Sequence, residues 1–543
     1  MNRIWTVVVS SLLLLQGACK PSAPAPQAET EAEKPVAHSP ANVTVAAPAA
    51  PPALLSWHSA GLKSVAEAEG GSRLREVLGM PQTAALKSNT LVKLSHNLPA
   101  IIFSEVLASK AQADKLKPLL DDIATYESKV VWASEAPLRW RVSVKIPVER
   151  TGIWSANLHA LLASGQPAET VPLTNITDQW FTVSYTPQET YSYGLKEGWV
   201  TVERSEKDYK WGAFSASLAS NVWLAVELPA RILPLTGTLL DTNNLPYLRL
   251  TMEGKGENQL SRLDLKFLKD LKIPQQPWNV PTNTIKDPIV SFTALRGVGD
   301  IWSRVEALKP LGLPKPPEQI YVWAQTDLPF QTFVAASVPG ASNLVQTSLK
   351  SWTNELQKTY GNRIAGRFAS KTNELNWAGL MGLLPFLKAA PEPTDDYLVF
   401  GLAPMVPKPQ DLPRELLMQF IHRTNLVYYD WEITEARLTH WLQSASLLYM
   451  AANRVPIHNG VAPYQWAVNV ASKLGNTVTE AELAAANEIK VFRKSPAGMS
   501  GFEIYLFFRW LDQKSFPRWD EEGAHQLGLP ELPASPGGPG VPK

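Results

Sequence analysis

The chain has 543 residues, of which 45% are hydrophobic, 19% charged and 9% aromatic, a profile that excludes a disordered or transmembrane class and fits a folded body. Its 51 Lys and Arg balance 50 Asp and Glu, so no net field steers a polyanion to the surface and no nucleic-acid partner is expected. A single cysteine excludes an internal disulfide and any zinc site built from two or more thiolates.

The first predicted element is a leader. Arg3 precedes twelve uncharged, mostly apolar residues, Ile4 to Leu15, followed by the small Gly17 and Ala18 and then by Cys19. As a helix this run rises about 18 Å, short of the roughly 30 Å hydrocarbon core, so it reads as a signal peptide and not as a span. Residues 20–53 carry eight prolines and almost nothing large and apolar. They cannot bury a core and read as a tether, reaching roughly 100 Å if polyproline-like.

From Trp57 to Tyr126 the apolar spacing is helical, with Leu74, Val77 and Leu78 early and Leu116, Leu119, Leu120 and Ile123 later. Two or three helices are predicted there. Past Lys129 the period changes to two and prolines multiply, the mark of strands. Three ordered internal matches follow: 130–147 (VVWASEAPLRWRVSVKIP) with 321–339 (YVWAQTDLPFQTFVAASVP), 221–229 with 396–404, and 245–253 with 425–433. Helix-like stretches around Ile153–Leu162 and Leu344–Trp352 trail the first pair. Regular self-similarity of this kind predicts duplication. What the copies share is Trp, Pro and apolar alternation, so the common content is architectural.

Near the end, Thr434–Asn453 carries Leu438, Trp441, Leu442, Ala445, Leu448 and Tyr449 on one helical face. Thr479 and Glu482 read as a capping pair opening a short helix. Phe502, Ile504, Leu506, Phe508 and Trp510 alternate and predict a half-buried strand. The predicted fold is therefore α+β, two tandem copies of a mixed strand/helix unit preceded by a short helical segment. Its divisions are a signal peptide at 1–18, an Ala/Pro-rich linker at 19–53, a helical segment at 54–127, a first repeat at 128–286, a second repeat with helical extensions at 287–527 and a disordered tail at 528–543.

Searching for chemistry yields no catalytic residue and no metal or cofactor motif. Ala497-Gly498-Met499-Ser500-Gly501 lacks the first Gly of Gly-x-Ser-x-Gly. Gly361 to Gly366 has phosphate-loop spacing but continues Arg-Phe, and Gly297 with Gly299 lacks a third Gly. Eight histidines, at 38, 58, 96, 159, 422, 440, 458 and 525, form no metal-binding pair. Asp121 with Asp122 and Asp395 with Asp396 are adjacent in sequence and read as a solvated helix edge and a turn. Among the tryptophans, Trp132, Trp323, Trp441 and Trp510 fall on apolar faces and read as packing residues.

Residues 1–19 resemble the bacterial prolipoprotein signal, in which Gly or Ala precedes a Cys; Gln16 stands where that family has Leu, and Leu15 lies one place early. The resemblance implies cleavage before Cys19 and acylation of its thiol and new amino group, palmitate-like chains that anchor the protein to a membrane. Lys20 occupies the place of the Asp that marks inner-membrane retention, which implies the outer membrane, facing the periplasm. The body resembles uncharacterised exported lipoproteins, and no activity follows from that. The expected role is non-catalytic binding or scaffolding in the cell envelope, with a protein or an apolar or glycan ligand as partner. The alternatives are an envelope hydrolase using carboxylates from separated strands, and a carrier holding an apolar ligand between a curved sheet and a helix.

Overall fold

The computed structural model describes residues 53–518 except 136, 165–168, 171–179, 208, 210, 212–217, 220, 230–243, 298, 300–312, 314–315, 326–330, 361–364, 371, 379–383, 392–395, 404, 406–409 and 452–461. Among the described residues, no helix is long and apolar enough to cross a membrane.

The first ten strands are β1 (Leu55–Ser59), β2 (Ser128–Glu135), β3 (Leu138–Lys145), β4 (Glu169–Thr170), β5 (Trp180–Thr186), β6 (Glu189–Lys196), β7 (Trp199–Ser205), β8 (Val222–Pro229), β9 (Tyr247–Lys255) and β10 (Asn258–Lys266). Alternation makes them. In β3, Trp140, Val142 and Val144 join the core, while Ser143 on the opposite face bonds Thr201 of β7 at 2.6 Å. Glu197 and Gly198, both with positive φ, close the β6–β7 hairpin as the two-residue turn whose twist suits paired strands.

The remaining strands are β11 (Ile289–Arg296), β12 (Gln319–Gln325), β13 (Thr332–Ser337), β14 (Ala365–Ala369), β15 (Glu374–Ala378), β16 (Phe386–Pro391), β17 (Asp396–Gly401), β18 (Leu426–Ile433), β19 (Asn476–Ala485) and β20 (Glu488–Ser495). Twelve described helices accompany them. Six lie between β1 and β2: α1 (Gly61–Glu67), α2 (Ser72–Leu78), α3 (Pro81–Asn97), α4 (Pro99–Ile102), α5 (Glu105–Lys110) and α6 (Ala113–Thr125). α7 (Thr151–Ala163) follows β3, α8 (Ala341–Tyr360) follows β13, and α9 (Arg414–Met418) precedes β18. α10 (Thr434–Ala451) and α11 (Ala462–Ala471) separate β18 from β19, and α12 (Gly501–Asp512) follows β20.

Every strand pairing is antiparallel, and together the pairings join all twenty strands into one sheet. The order is β4-β5-β6-β7-β3-β2-β1-β8-β9-β10-β20-β19-β18-β11-β12-β13-β17-β16-β15-β14. This corrects the predicted α+β fold of two tandem copies: the chain builds a single continuous antiparallel sheet in which strand exceeds helix. Eight residues of β10 pair with β20 at its centre, from Gln259↔Ser495 to Lys266↔Glu488.

A regularity of connectivity remains inside that sheet, since the order read inward from β14 repeats the order read inward from β4. It does not define tandem α+β units, because six helices sit between β1 and β2 and two more between β18 and β19. Two of the three sequence matches also join strands at different places in the order. Residues 221–229 form β8 while 396–404 include β17, and 245–253 lie on β9 while 425–433 include β18. Apolar alternation is common to all strands of a sheet, so short matches slip by one strand.

Three further expectations change. Trp57 belongs to a strand, β1, which lies between β2 and β8. Thr479 and Glu482 lie in β19 and cap no helix, because Thr477, Thr479, Ala481 and Leu483 alternate inward. Phe502–Trp510 is helical, not a strand. Its apolar residues fall all round, with Ile504, Tyr505, Phe507, Phe508, Trp510 and Leu511 buried, so period alone could not decide. The cap at Ser500 decides it: the hydroxyl accepts from Glu503 N–H at 3.2 Å and the Glu503 carboxylate accepts from Ser500 N–H at 2.7 Å.

Two cores position the site. Under the first strands, Leu55, Trp57, Trp132, Trp140 and Trp154 pack with Leu116, Leu119 and Leu158. In a second, Val77, Leu86 and Leu94 from the N-terminal helices pack with Leu438, Trp466, Ile504 and Phe508 from the C-terminal ones.

Candidate functional site

Where these two cores meet, the walls do not close. A cavity of about 350 Å³ lies among α1, α3, α6, α11 and α12, walled by Leu86, Leu91, Leu94, Leu120, Trp466 and Phe507 among others. A second, of about 150 Å³, lies between the sheet and helices α4, α6 and α7, walled by Leu55, Trp132, Trp140, Trp154, Leu158 and Leu161 among others. Trp57, Leu120 and Ile123 belong to both walls, so the two spaces adjoin across three side chains.

The elements explain the arrangement. β1 carries Trp57 into the sheet between β2 and β8, and the apolar stripe of α6 brings Leu120 and Ile123 to the same two walls. Asp122, on the other side of α6, is 4% exposed, contrary to the solvated edge expected of it. Its carboxylate accepts from Trp154 Nε1 at 2.8 Å and from Arg150 Nε at 3.0 Å, which pins α7 to α6 and holds the far wall. A buried carboxylate survives there because both donors satisfy it.

Against this apolar lining, three polar atoms stand out. Trp57 Nε1, Thr90 Oγ1 and Trp132 Nε1 are buried and have no hydrogen-bond partner among the described residues. Trp57 and Thr90 line the larger cavity, and Trp57 and Trp132 line the smaller. Leaving such a group unpaired costs about 1–3 kcal/mol. At the solvent side of the larger cavity, Lys63 is exposed, while Lys87 is held by Asp121 at 2.6 Å and donates to Thr125 Oγ1 at 3.1 Å.

A separate cluster of charge lies under α10 and α12. Asp430 and Glu432 project from one face of β18, 9% and 5% exposed. Thr293 Oγ1 donates to Asp430 at 2.6 Å, and Gly501 N–H donates to Glu432 at 2.7 Å. Burial raises both carboxyls, Glu432 to about 7 with the neighbouring Asp430 adding to the effect. Beside them Arg493 grips Glu503 with two bonds of 2.5 and 3.0 Å. Neither Asp430 nor Glu432 lines either apolar cavity or a third, more polar hollow of about 610 Å³ on β14–β16 bearing Arg367, Glu374 and Lys388.

Cys19, His38, Gly361, Asp395, His458 and His525 lie outside the described residues. His58 bonds Glu127 at 2.9 Å, and no group of three or more potential metal ligands occurs among the described residues. Ser500 serves as a helix cap. Trp132, Trp323 and Trp510 are buried in cores at 3%, 0% and 3% exposure, and Trp441 packs on Phe502 at 4.6 Å. Sequence reasoning missed Thr90, Lys63 and the role of Trp57. A strand signal at Leu55–Ser59, apolar alternation through Leu55 and Trp57, was present but short.

Comparison with known proteins returns no match to any family model, curated protein or solved structure, so the geometry of the adjoining cavities is the foundation on which a role must be argued.

Proposed function

We propose that the chain is a cell-envelope lipoprotein, anchored through acylated Cys19, which holds an apolar ligand between its sheet and its helical layer without catalysing a reaction. The observation that carries this reading is the adjoining pair of cavities, about 350 and 150 Å³, walled by tryptophan and aliphatic side chains with few polar atoms. Concave, mostly apolar space with a few convergent polar groups is what small apolar ligands occupy. The leader ending at Cys19 and the proline-rich stretch after it support a membrane setting, where such ligands are abundant. A hydrolase would need paired carboxylates facing a cleft, and Asp430 and Glu432 line none of the three cavities.

Two measurements test the proposal. Mass spectrometry of the mature chain is expected to find residue 19 at the N-terminus carrying acyl groups, and Cys19→Ser to accumulate as the uncleaved precursor without them. The chain produced from residue 20 onward, without its leader, is expected to bind the neutral fluorophore N-phenylnaphthylamine saturably, and Ile123→Trp, which fills the shared wall, to abolish the signal. An unmodified Cys19 would sink the anchor; absence of saturable binding would sink the ligand site.

A further inference from the structure

We infer that β14 receives an extended segment of another protein as a further antiparallel strand, with an acidic side chain of that segment facing Arg367 at the polar hollow. The place is separate from the two apolar cavities and does not depend on what they hold. β14 stands last in the sheet and pairs with β15 alone among the described strands. Its register, from Ala365↔Ala378 to Ala369↔Glu374, is unbroken, and its sequence, AGRFA, has no proline or lysine. Bulges, prolines and lysines are what ordinarily keep an edge from pairing, so this edge is left competent to add a strand.

Main-chain direction fixes how the guest would sit. Trp377 N–H donates to Pro385 O at 3.0 Å, toward β16. Trp377 lies opposite Gly366, so that pair exchanges no hydrogen bonds, and Gly366, with Phe368 two residues on, turns its N–H and C=O outward. Neither has another main-chain partner among the described residues. An incoming antiparallel strand bonds these two residues. Its residue between the bonded positions then faces Arg367 in a pair without hydrogen bonds, the closer of the two cross-strand spacings.

Side chains select the chemistry of the guest. Arg367 is exposed and opens, with Glu374, Asn376 and Lys388, onto the hollow of about 610 Å³. Glu374 and Lys388 are directly opposite on β15 and β16 and offset one another, which leaves Arg367 as the unbalanced charge. On the other face Phe368 packs on the core beneath α8, so the guest residue opposite it is apolar, and Gly366 leaves room for a bulky neighbour. The segment that fits has an acidic residue between two apolar ones, the alternation by which sheet edges recognise added strands. A second copy pairing on the same centre would set Arg367 against Arg367, and like charges directly opposed destabilise a strand pair.

The test titrates the chain produced from residue 20 onward against a fluorescein-labelled peptide, Ser-Thr-Val-Glu-Val-Thr-Ser, and its counterpart with Lys at the centre, read by fluorescence anisotropy. The Glu peptide is expected to bind at least tenfold more tightly than the Lys peptide. Arg367→Glu, an exposed change expected to leave the melting temperature where it was, is expected to invert that order. N-methylation of the two valines, whose N–H groups meet Gly366 and Phe368, is expected to abolish binding, while N-methylation of the central Glu, whose N–H points away, leaves it. Equal affinity for the two peptides, an order that Arg367→Glu does not invert, valine N-methylation without effect, or no saturable binding overturns the proposal. A stable dimer of the chain alone that the peptide dissociates overturns it as well, because a second copy is then the occupant.

Discussion

Glu432 shows what one residue contributes when its surroundings are chosen by the fold. Two residues from Asp430 on β18, it shares that strand face and is almost fully enclosed. Burial, then the charge of Asp430, lifts its carboxyl to about 7 from an ordinary 4.5, against the Gly501 N–H, Arg437 and the Thr434 hydroxyl. Because the folded value lies above the unfolded one, folding favours the protonated form. The resulting stability is complete below about pH 4.5 and is lost as pH rises through about 7. Glu432→Gln is therefore expected to flatten the pH dependence, with wild type losing about 3 kcal/mol more than the variant between pH 4 and 8, read from urea unfolding at each pH. Parallel profiles for the two proteins would refute this. None of it was legible in the sequence, where Asp430 and Glu432 are two acidic residues in a short apolar run; enclosure by α10 and α12 makes them a buried pair.

At the scale of the element, α12 is the instructive case. The segment Phe502–Trp510 satisfies a period of two and a helical period equally well, because apolar residues occupy nearly every position. What breaks the tie lies just upstream, in the reciprocal bonds between Ser500 and Glu503. Ser500→Ala is expected to cost about 1 kcal/mol, measured as a lower urea midpoint with an unchanged slope. A midpoint equal to wild type would show that packing of Ile504 and Phe508 alone holds the helix. The same pattern, Thr479 with Glu482, occurs in β19, where pairing with β18 and β20 overrides it. Local capping signals act only where the neighbouring strands leave the backbone unpaired.

The whole molecule is tied together at two places far apart in sequence. β10 pairs with β20, and α3 reaches the C-terminal helices, with Lys93 Nζ donating to Leu511 O at 2.6 Å, Asn97 Nδ2 to Phe516 O at 2.6 Å and Trp466 Nε1 to Thr83 Oγ1 at 3.1 Å. Residues 54–286 produced alone would expose the unpaired edge of β10 and the apolar face of α3 bearing Leu86 and Leu94. That fragment is expected to aggregate or stay unfolded, and co-expression with residues 287–527 to restore a soluble complex. Circular dichroism and size-exclusion chromatography of both preparations check this, and a soluble, cooperatively folded 54–286 fragment would show that the halves are independent after all.

Taken by itself, the sequence determined which stretches alternate and which wind, because burial of one face imposes a period on the chain wherever it occurs. The single cysteine also leaves no second thiol for a disulfide within this chain. Only the tertiary structure decided that β1 enters the sheet between β2 and β8, that β10 meets β20, and that Trp57, Thr90 and Lys63 line one cavity. A hydrophobic period states that a face is buried but not against what. Partners hundreds of residues apart leave no local trace, so a site formed where two cores meet becomes visible only once the strands have found their neighbours.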